Sequence, residues 1–468
     1  MKEISAERLE IQQKIKEKIR TENSIVKQKP LAFVETYGCA LNENDSEKLC
    51  GMLEDMGYGF CDRADAADLV IFNTCAVREN AELKVLGNLG KLKPVKKERP
   101  DLLIGVCGCM MQQAHIKEQI QKKYKHIDMV FGTHALYKFP EILDSARMGQ
   151  KVFSTEDSEG EIAEGLSVKR ESFPLAKVSV MFGCNNFCSY CIVPYVRGRE
   201  RSRSPENILA EVSALAKEGF KEVMLLGQNV NSYGNDLAGD GTSFAQLLKD
   251  VAKIDGIERI RFMTSHPKDI SDELIDAIAS EPKVCKQLHL PVQSGSDKVL
   301  HDMNRKYTRS EYLSKVEAVR KKVPDIVLST DIIVGFPTET NEDFEDTISL
   351  LREVRFDTVY SFIYSPRVGT PAAKMPMALD EKEIHQNFEK MLSVQNEISR
   401  EKNEAYPGSI QKVLVEGLSK TNPEFVTGRT DGGKIVNMKG NEELTGEIVE
   451  ARITDCKTWS LTGEIIQR

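Results

Sequence analysis

Long apolar runs are absent from this chain of 468 residues. No stretch approaches the roughly 20 residues that a membrane-crossing helix requires, so no membrane partner is expected. The first 29 residues are charged throughout, unlike a secretory leader, and none is expected. A disulfide framework is missing too: eleven cysteines, an odd number in so long a chain, do not read as paired bridges. They fit a reducing, cytoplasmic setting and soft-metal ligation better. Positive charge is also in short supply. Lys and Arg number 64 against 72 Asp and Glu, a net charge of −8, so bulk electrostatics do not announce a nucleic-acid binder. Any RNA must be held by local patches.

What is present begins with Gly183-Cys184-Asn185-Asn186-Phe187-Cys188-Ser189-Tyr190-Cys191, a C-x3-C-x2-C triplet. The spacing differs from the C-x2-C knuckle of zinc sites. Three thiolates with no fourth Cys or His nearby suit a [4Fe–4S] cluster that keeps one iron open. Asn185, Asn186, Ser189 and Tyr190 around them predict a loop. The plainer readings are a structural zinc site or buried free cysteines.

Between residues 30 and 150 short apolar strands alternate with helices, which implies a parallel sheet covered on its faces. Strands are expected at 31–36, 69–72, 102–106 and 129–131, and a cysteine follows each of the first three: Cys39, Cys75 and Cys109. Strand C-termini of an open parallel sheet share one edge, where ligands bind. Helix N-termini there favour an anionic group. These three cysteines therefore predict a second cluster with three thiolate ligands. Cys107 competes for the third place. It continues its strand and is expected to point into the sheet, whereas Cys109 follows a glycine as Cys39 does. Cys50, Cys61, Cys285 and Cys456 have no partner pattern and read as structural.

The remaining chain divides by pattern. Residues 1–29 read as a charged helical extension, solvated along its length. Residues 151–172 are polar and acidic, a linker or surface excursion. From 173 to 404 six strand candidates (178–181, 222–226, 257–262, 285–290, 327–334 and 358–363) alternate with helices. That argues a complete or partial TIM-type barrel, with its site at the strand C-terminal ends. Polar residues at those ends, Gln228, Asn229, Ser265, His266, Gln293, Ser294 and Asp331, are candidates for a cofactor and substrate pocket. Each is as readily a helix cap or turn residue. Gly335-Phe336-Pro337 reads as a turn that admits close backbone approach. Arg197, Arg199, Arg201 and Arg203 form the strongest basic cluster, either a solvated loop partnered by Glu200 or a phosphate contact. Residues 405–468 read as short β segments forming a small antiparallel barrel of OB-like size. The fold class is thus multidomain α/β ending in a small β-barrel.

The triplet resembles the signature of the radical S-adenosylmethionine (SAM) enzymes. The resemblance implies that SAM chelates the open iron and is cleaved there; Tyr190, Gln228, Gln293 and Asp331 are the candidates expected beside the three cysteines in the SAM pocket. Two three-cysteine sets followed by a small β-barrel resemble the methylthiotransferases more specifically, over roughly residues 30–468, the last module being their TRAM domain. The stretches that carry this are Tyr37-Gly38-Cys39 with Asn42 to Glu47, Asn73 to Ala81, His289 to Ser296, Ser329 to Pro337 and Phe362 to Arg367. They look like the branch acting on isopentenylated adenosine in the tRNA anticodon loop.

The resemblance implies insertion of sulfur and a methyl group at C2 of that adenosine. It implies two [4Fe–4S] clusters, SAM, a tRNA partner and an electron donor, with the clusters supplying the chemistry and no catalytic side chain. A monomer without a stable protein partner is expected. The extra Cys107 departs from the family picture. Rival readings keep the chemistry but change the substrate, to threonylcarbamoyl-adenosine in tRNA or a ribosomal-protein aspartate. Ala76-Val77-Arg78-Glu79 beside the second cysteine favours the isopentenyl branch. Rivals of another class are a non-catalytic iron–sulfur RNA-binding protein and a zinc scaffold.

Overall fold

The computed structural model describes residues 2–77, 79–155, 161–237 and 241–467. Arg78 of the motif above and Glu156 to Gly160 of the predicted linker lie outside the described residues. The chain forms two compact units: residues 1–171 with 182–185 and 191–203, and residues 172–181 with 186–190 and 204–468. Among the described residues no helix is long and apolar enough to cross a membrane.

The first unit is built on six parallel strands: β1 (Leu31–Thr36), β2 (Gly59–Phe60), β3 (Leu69–Thr74), β4 (Leu103–Gly108), β5 (Met129–Phe131) and β6 (Val152–Ser154). Their order is β2-β1-β3-β4-β5-β6. Order therefore reverses between β1 and β3, the crevice where open α/β sheets bind ligands. β3 is buried on both faces, as its continuous apolar run requires. Helices α1 (Ala6–Ile25), α2 (Ala40–Asp55), α3 (Glu79–Glu98), α4 (Ala114–Lys123) and α5 (Phe139–Arg147) complete the unit.

Two expectations about this unit need correction. The N-terminal extension is not solvated along its length. Ile19 is fully buried and Ile15 packs beside it against the core of α2 and α5. Gln12 and Asn23 are buried on the same helix, with Asn23 Nδ2 donating to the Met56 carbonyl at 2.9 Å. Two positions of the buried stripe are thus amides, which hides its apolar period in the sequence. The expected linker is not free either. It supplies β6, and Glu161–Ile162 pairs in parallel with Lys2–Glu3. Further on, Arg170 pairs with Glu47 at 2.9 Å.

In the second unit two three-stranded parallel sheets make a partial barrel. β7 (Leu175–Ser179), β8 (Glu222–Leu226) and β9 (Arg259–Phe262) lie in the order β9-β8-β7, and β10 (Gln287–His289), β11 (Val327–Val334) and β12 (Thr358–Ile363) in the order β10-β11-β12. A bridge between Ile260 and Val284 joins β9 to the residues just before β10. Alternation along β11 sends Leu328, Ile332 and Val334 to the helices, where they join the main core, and leaves Ser329 and Asp331 on the opposite face.

The C-terminal module is a closed five-stranded barrel of β13 (Ile410–Leu418), β14 (Phe425–Thr430), β15 (Ile435–Lys439), β16 (Ile448–Cys456) and β17 (Leu461–Gln467), ordered β13-β14-β15-β17-β16. Its hairpin beyond Arg429 packs under the N-terminal strand ends of the larger barrel. Arg259 donates to the carbonyls of Arg429 and Lys412, each at 2.7 Å. Arg261 donates to those of Thr430 at 2.7 Å and Asp431 at 2.8 Å, and pairs with buried Glu222 at 2.6 Å. Charges are held in this floor because the two guanidinium groups donate to fixed carbonyl and carboxylate acceptors.

Candidate functional site

The three junctions after β1, β3 and β4 bring Cys39, Cys75 and Cys109 together at the switch edge. Cys39 is the N-cap residue of α2, and its thiol shares a hydrogen bond with that of Cys75. Gly38 has φ of +143°, and a Cβ there would lie 2.5 Å from Cys75 Cβ, so only glycine lets the two loops meet. Cys75 in turn senses Cys109 electrostatically.

Cys107 lies in β4 and Cys109 just past its end; had the strand continued, the two would share a face. Gly108, at φ +97°, breaks that rule. It turns the chain so that Cys107 faces the core of Leu69, Ile71 and Phe131, while Cys109 sits with Ala76, Ile192 and Val196. A Cβ at Gly108 would meet Asn73 Oδ1 and the Thr74 carbonyl at 2.4 Å.

The thiols are electrostatically unequal. The hydrogen bond from Cys75 holds the Cys39 thiol down to about 6 against its burial, helped by Arg197 and by the N–H groups of Asn42 and Leu41 at the start of α2. Cys75 is pushed up by that same bond and by burial. Burial also raises Cys109, with Arg197 opposing it, and raises Cys107 strongly.

Sequence reasoning did not place two residues beside these thiols. Arg197 is buried; its Nε donates to Cys109 Sγ at 3.0 Å and its Nη2 pairs with Asp45 at 2.8 Å. Asn42 is fully buried, with Oδ1 3.5 Å from Cys39 Sγ, 3.8 Å from Cys109 Sγ and 3.2 Å from Arg197 Nη2. Alternating arginines at 197–203 were the signal, and for two of them, Arg197 and Arg203, the expected solvated loop or phosphate contact needs correction. Arg203 is also buried, paired with Glu164 at 2.7 Å. Glu200 holds the cysteine loop instead, accepting from the Asn185 N–H at 3.1 Å and from its amide at 3.3 Å.

The Cys184–Cys191 loop is shaped in each unit by its own contacts. In the first, Gly183 has φ +78° and would place a Cβ 2.0 Å from the Arg199 carbonyl, and the Cys184 N–H donates to the Gly198 carbonyl at 3.2 Å. In the second, Ser189 donates to the carbonyls of Met303 (N–H, 2.9 Å) and Asp302 (Oγ, 2.7 Å), and Asn304 donates to the Phe187 carbonyl at 2.9 Å. Arg305, a further residue missed from sequence, donates through Nη1 to Cys188 Sγ at 3.4 Å. Tyr190 packs against Val299, Met303, Phe336 and Ala372.

The other pocket candidates separate by environment. Gln228 Oε1, Asn229 Oδ1 and Ser265 Oγ, all past the ends of β8 and β9, are buried without a hydrogen-bond partner among the described residues. Polar atoms left so are costly unless a ligand meets them. Gln293 adopts φ +76° and is locked to β11, its N–H donating to the Asp331 carbonyl at 2.9 Å and its own carbonyl accepting from Ile333 at 3.0 Å. The Asp331 carboxylate lies 3.5 Å from His289 Nε2. His266 is kept neutral by burial, its ring pushed down to about 2, and caps the turn at Lys268. Ser294 is fully buried, with Oγ 3.4 Å from Thr347 Oγ1 and accepting from the Ser296 N–H at 3.2 Å.

Among the described residues no three His, Cys, Asp or Glu side chains converge closely enough to hold a single metal ion. A cluster offers a separate iron to each thiolate and needs them spaced, which suits soft sulfur donors on separate loops.

Comparison with known proteins completes the description. Residues 178–351 match the Radical SAM superfamily, 31–132 the family described as Uncharacterized protein family UPF0004, and 404–466 the TRAM domain. A radical SAM methyltransferase, TsrM, from Kitasatospora setae, solved with cobalamin and a [4Fe–4S] cluster, shares the fold with a TM-score of 0.53 at 14% identity, over 74% of this chain and 77% of that one. Fold and modules together define a radical SAM protein with an N-terminal α/β domain and a C-terminal TRAM barrel. Within that class the sequence is 57% identical to the tRNA-2-methylthio-N(6)-dimethylallyladenosine synthase of Acetivibrio thermocellus over 94% of this chain and 92% of that protein. It is 52% identical to that of Alkaliphilus oremlandii over 99% and 98%. The chain belongs to the tRNA-2-methylthio-N(6)-dimethylallyladenosine synthase family.

Proposed function

We propose that this chain is a tRNA methylthiotransferase acting at C2 of N6-isopentenyladenosine beside the anticodon, with Cys39, Cys75 and Cys109 holding one [4Fe–4S] cluster and Cys184, Cys188 and Cys191 a second. The observation that carries the reading is the gathering of three thiols, from three separate junctions, at the switch edge of the sheet. When bound, the clusters and SAM supply one-electron cleavage, hydrogen abstraction from a C–H bond of no useful acidity, and the sulfur and methyl to be inserted.

The protein's own part is to bind, orient and shield. Cys39, the most readily ionised of its three thiols, stands at a helix N-terminus that favours an anionic ligand. Asn42 and Arg197 fix the thiols from behind. The oxygens of Gln228, Asn229 and Ser265, unpartnered among the described residues, would together with Tyr190, Gln293 and Asp331 give SAM and the flipped base polar groups to meet. Domains at 30–150, 173–404 and 405–468 divide this labour, the last gripping tRNA. A low-potential electron donor, action as a monomer and a cytoplasmic setting complete the reading.

The test is to supply reconstituted enzyme with SAM, reductant and isopentenylated tRNA and to analyse digested nucleosides by mass spectrometry. A methylthio-isopentenyladenosine is expected. SAM cleavage without that product, but with modification of threonylcarbamoyl-adenosine tRNA, would overturn the substrate assignment alone.

A further inference from the structure

In each cysteine set a buried arginine donates to one of the sulfurs, but the two arginines are neutralised differently. Arg197, on Cys109, shares its guanidinium with Asp45 at 2.8 Å, and both residues are buried. Arg305, on Cys188, is equally buried, yet among the described residues it has no carboxylate partner. Its remaining donors go to the Tyr307 hydroxyl at 2.8 Å and the Pro291 carbonyl at 2.7 Å, and its guanidinium lies 5.2 Å from the Tyr307 ring centre. One sulfur therefore faces a closely paired cation and the other an unpaired one.

A fixed cation in a low-dielectric site stabilises whichever state of its neighbour is more negative. An iron–sulfur cluster gains a negative charge on one-electron reduction, and its potential responds to net charge and to hydrogen bonds on its sulfurs. The carboxylate of Asp45 opposes part of the field of Arg197 at Cys109. Among the described residues no carboxylate partner opposes that of Arg305.

We propose that Arg305 and the Arg197–Asp45 pair are positioning residues that set the two clusters apart in potential. The electron from a low-potential one-electron donor is thereby directed to the cluster of Cys184, Cys188 and Cys191, where SAM is cleaved, and away from the sulfur-bearing cluster. The step adds one electron to the first cluster and makes or breaks no bond. The inference rests on the two-cluster reading above.

Potentiometric titration of the anaerobically reconstituted enzyme, followed by electron paramagnetic resonance, tests it. Cys109→Ala and Cys188→Ala variants give the reference spectrum of each remaining cluster. In the wild-type protein the Cys188-side cluster is expected to reduce at the less negative potential. Arg305→Met moves that potential more negative without moving the other, and Arg305→Lys, which keeps the charge, restores most of it. Asp45→Asn exposes the charge of Arg197 and moves the Cys109-side cluster less negative, narrowing the gap. The inference is overturned if Arg305→Met shifts neither cluster or both equally, or if the Cys109-side cluster is reduced first in the wild-type protein. Should Arg305→Met fail to hold its cluster, Asp45→Asn decides: an unshifted Cys109-side potential overturns the inference. Failure of the two-cluster reading is distinguishable, because the wild-type protein would then hold about four irons instead of about eight.

Discussion

Of the two cysteine sets proposed as cluster ligands, one comes from a single loop of eight residues, Cys184 to Cys191, whereas the other, in the N-terminal sheet, comes from three βα junctions far apart in the chain. The loop carries its ligand spacing in its own sequence and needs the fold only to hold it in place, through Ser189, Asn304 and Arg305. The N-terminal set has no local spacing at all. Its geometry is made by the parallel sheet, by the reversal of strand order between β1 and β3, and by glycines at 38 and 108 that let loops touch or turn. A contiguous site should therefore fail mainly through its ligands, and an assembled one through its scaffold as well.

The largest effect is expected from Cys188→Ala, which removes a ligand from the contiguous set. 5′-Deoxyadenosine formation should fall to background while the iron of the N-terminal set persists; retained SAM cleavage would contradict the assignment. Next comes Arg261→Met, a scaffold change in the barrel unit that strands Glu222 in the floor. Denaturant unfolding should show a loss of about 3–5 kcal/mol, with iron retained at both sites in the folded protein.

Gly108→Ala should cost about 2–4 kcal/mol through positive-φ strain and the 2.4 Å contacts of the new Cβ. Iron analysis should show selective loss from the N-terminal set, and equal loss from both sets would erase the distinction between them. Ile19→Ala, at a fully buried position of α1, should cost about 2–3 kcal/mol by the same assay. An unchanged stability would return the N-terminal helix to the solvated extension its sequence suggests.

How far the sequence could be read follows the same division. The strands at 129–131, 222–226, 327–334 and 358–363 coincide with the pattern of apolar residues, because core strands must be apolar. That Cys107 would point into the sheet was legible too, since it lies in the core beside Leu69 and Phe131, while the choice of Cys109 as third ligand rests on iron analysis of the two variants. Helix α1 misled because Gln12 and Asn23 occupy buried positions where amide hydrogen bonds replace apolar contact. Residues 151–172 misled because strands of two or three residues leave no period to read. The arginine run from 197 to 203 looked like a surface patch. Only the fold shows Arg197 inserted between Asp45 and Cys109, since the partners lie more than eighty residues away in sequence.

The most direct measurement is the iron content, with Mössbauer spectra, of Cys109→Ala and Cys107→Ala purified and reconstituted without oxygen. The assembled-site reading predicts about four irons in Cys109→Ala, with SAM cleavage intact, and about eight in Cys107→Ala, where only a core thiol is lost. Four irons in Cys107→Ala and eight in Cys109→Ala would contradict it, because the turn at Gly108 would then deliver the wrong sulfur to the edge of the sheet.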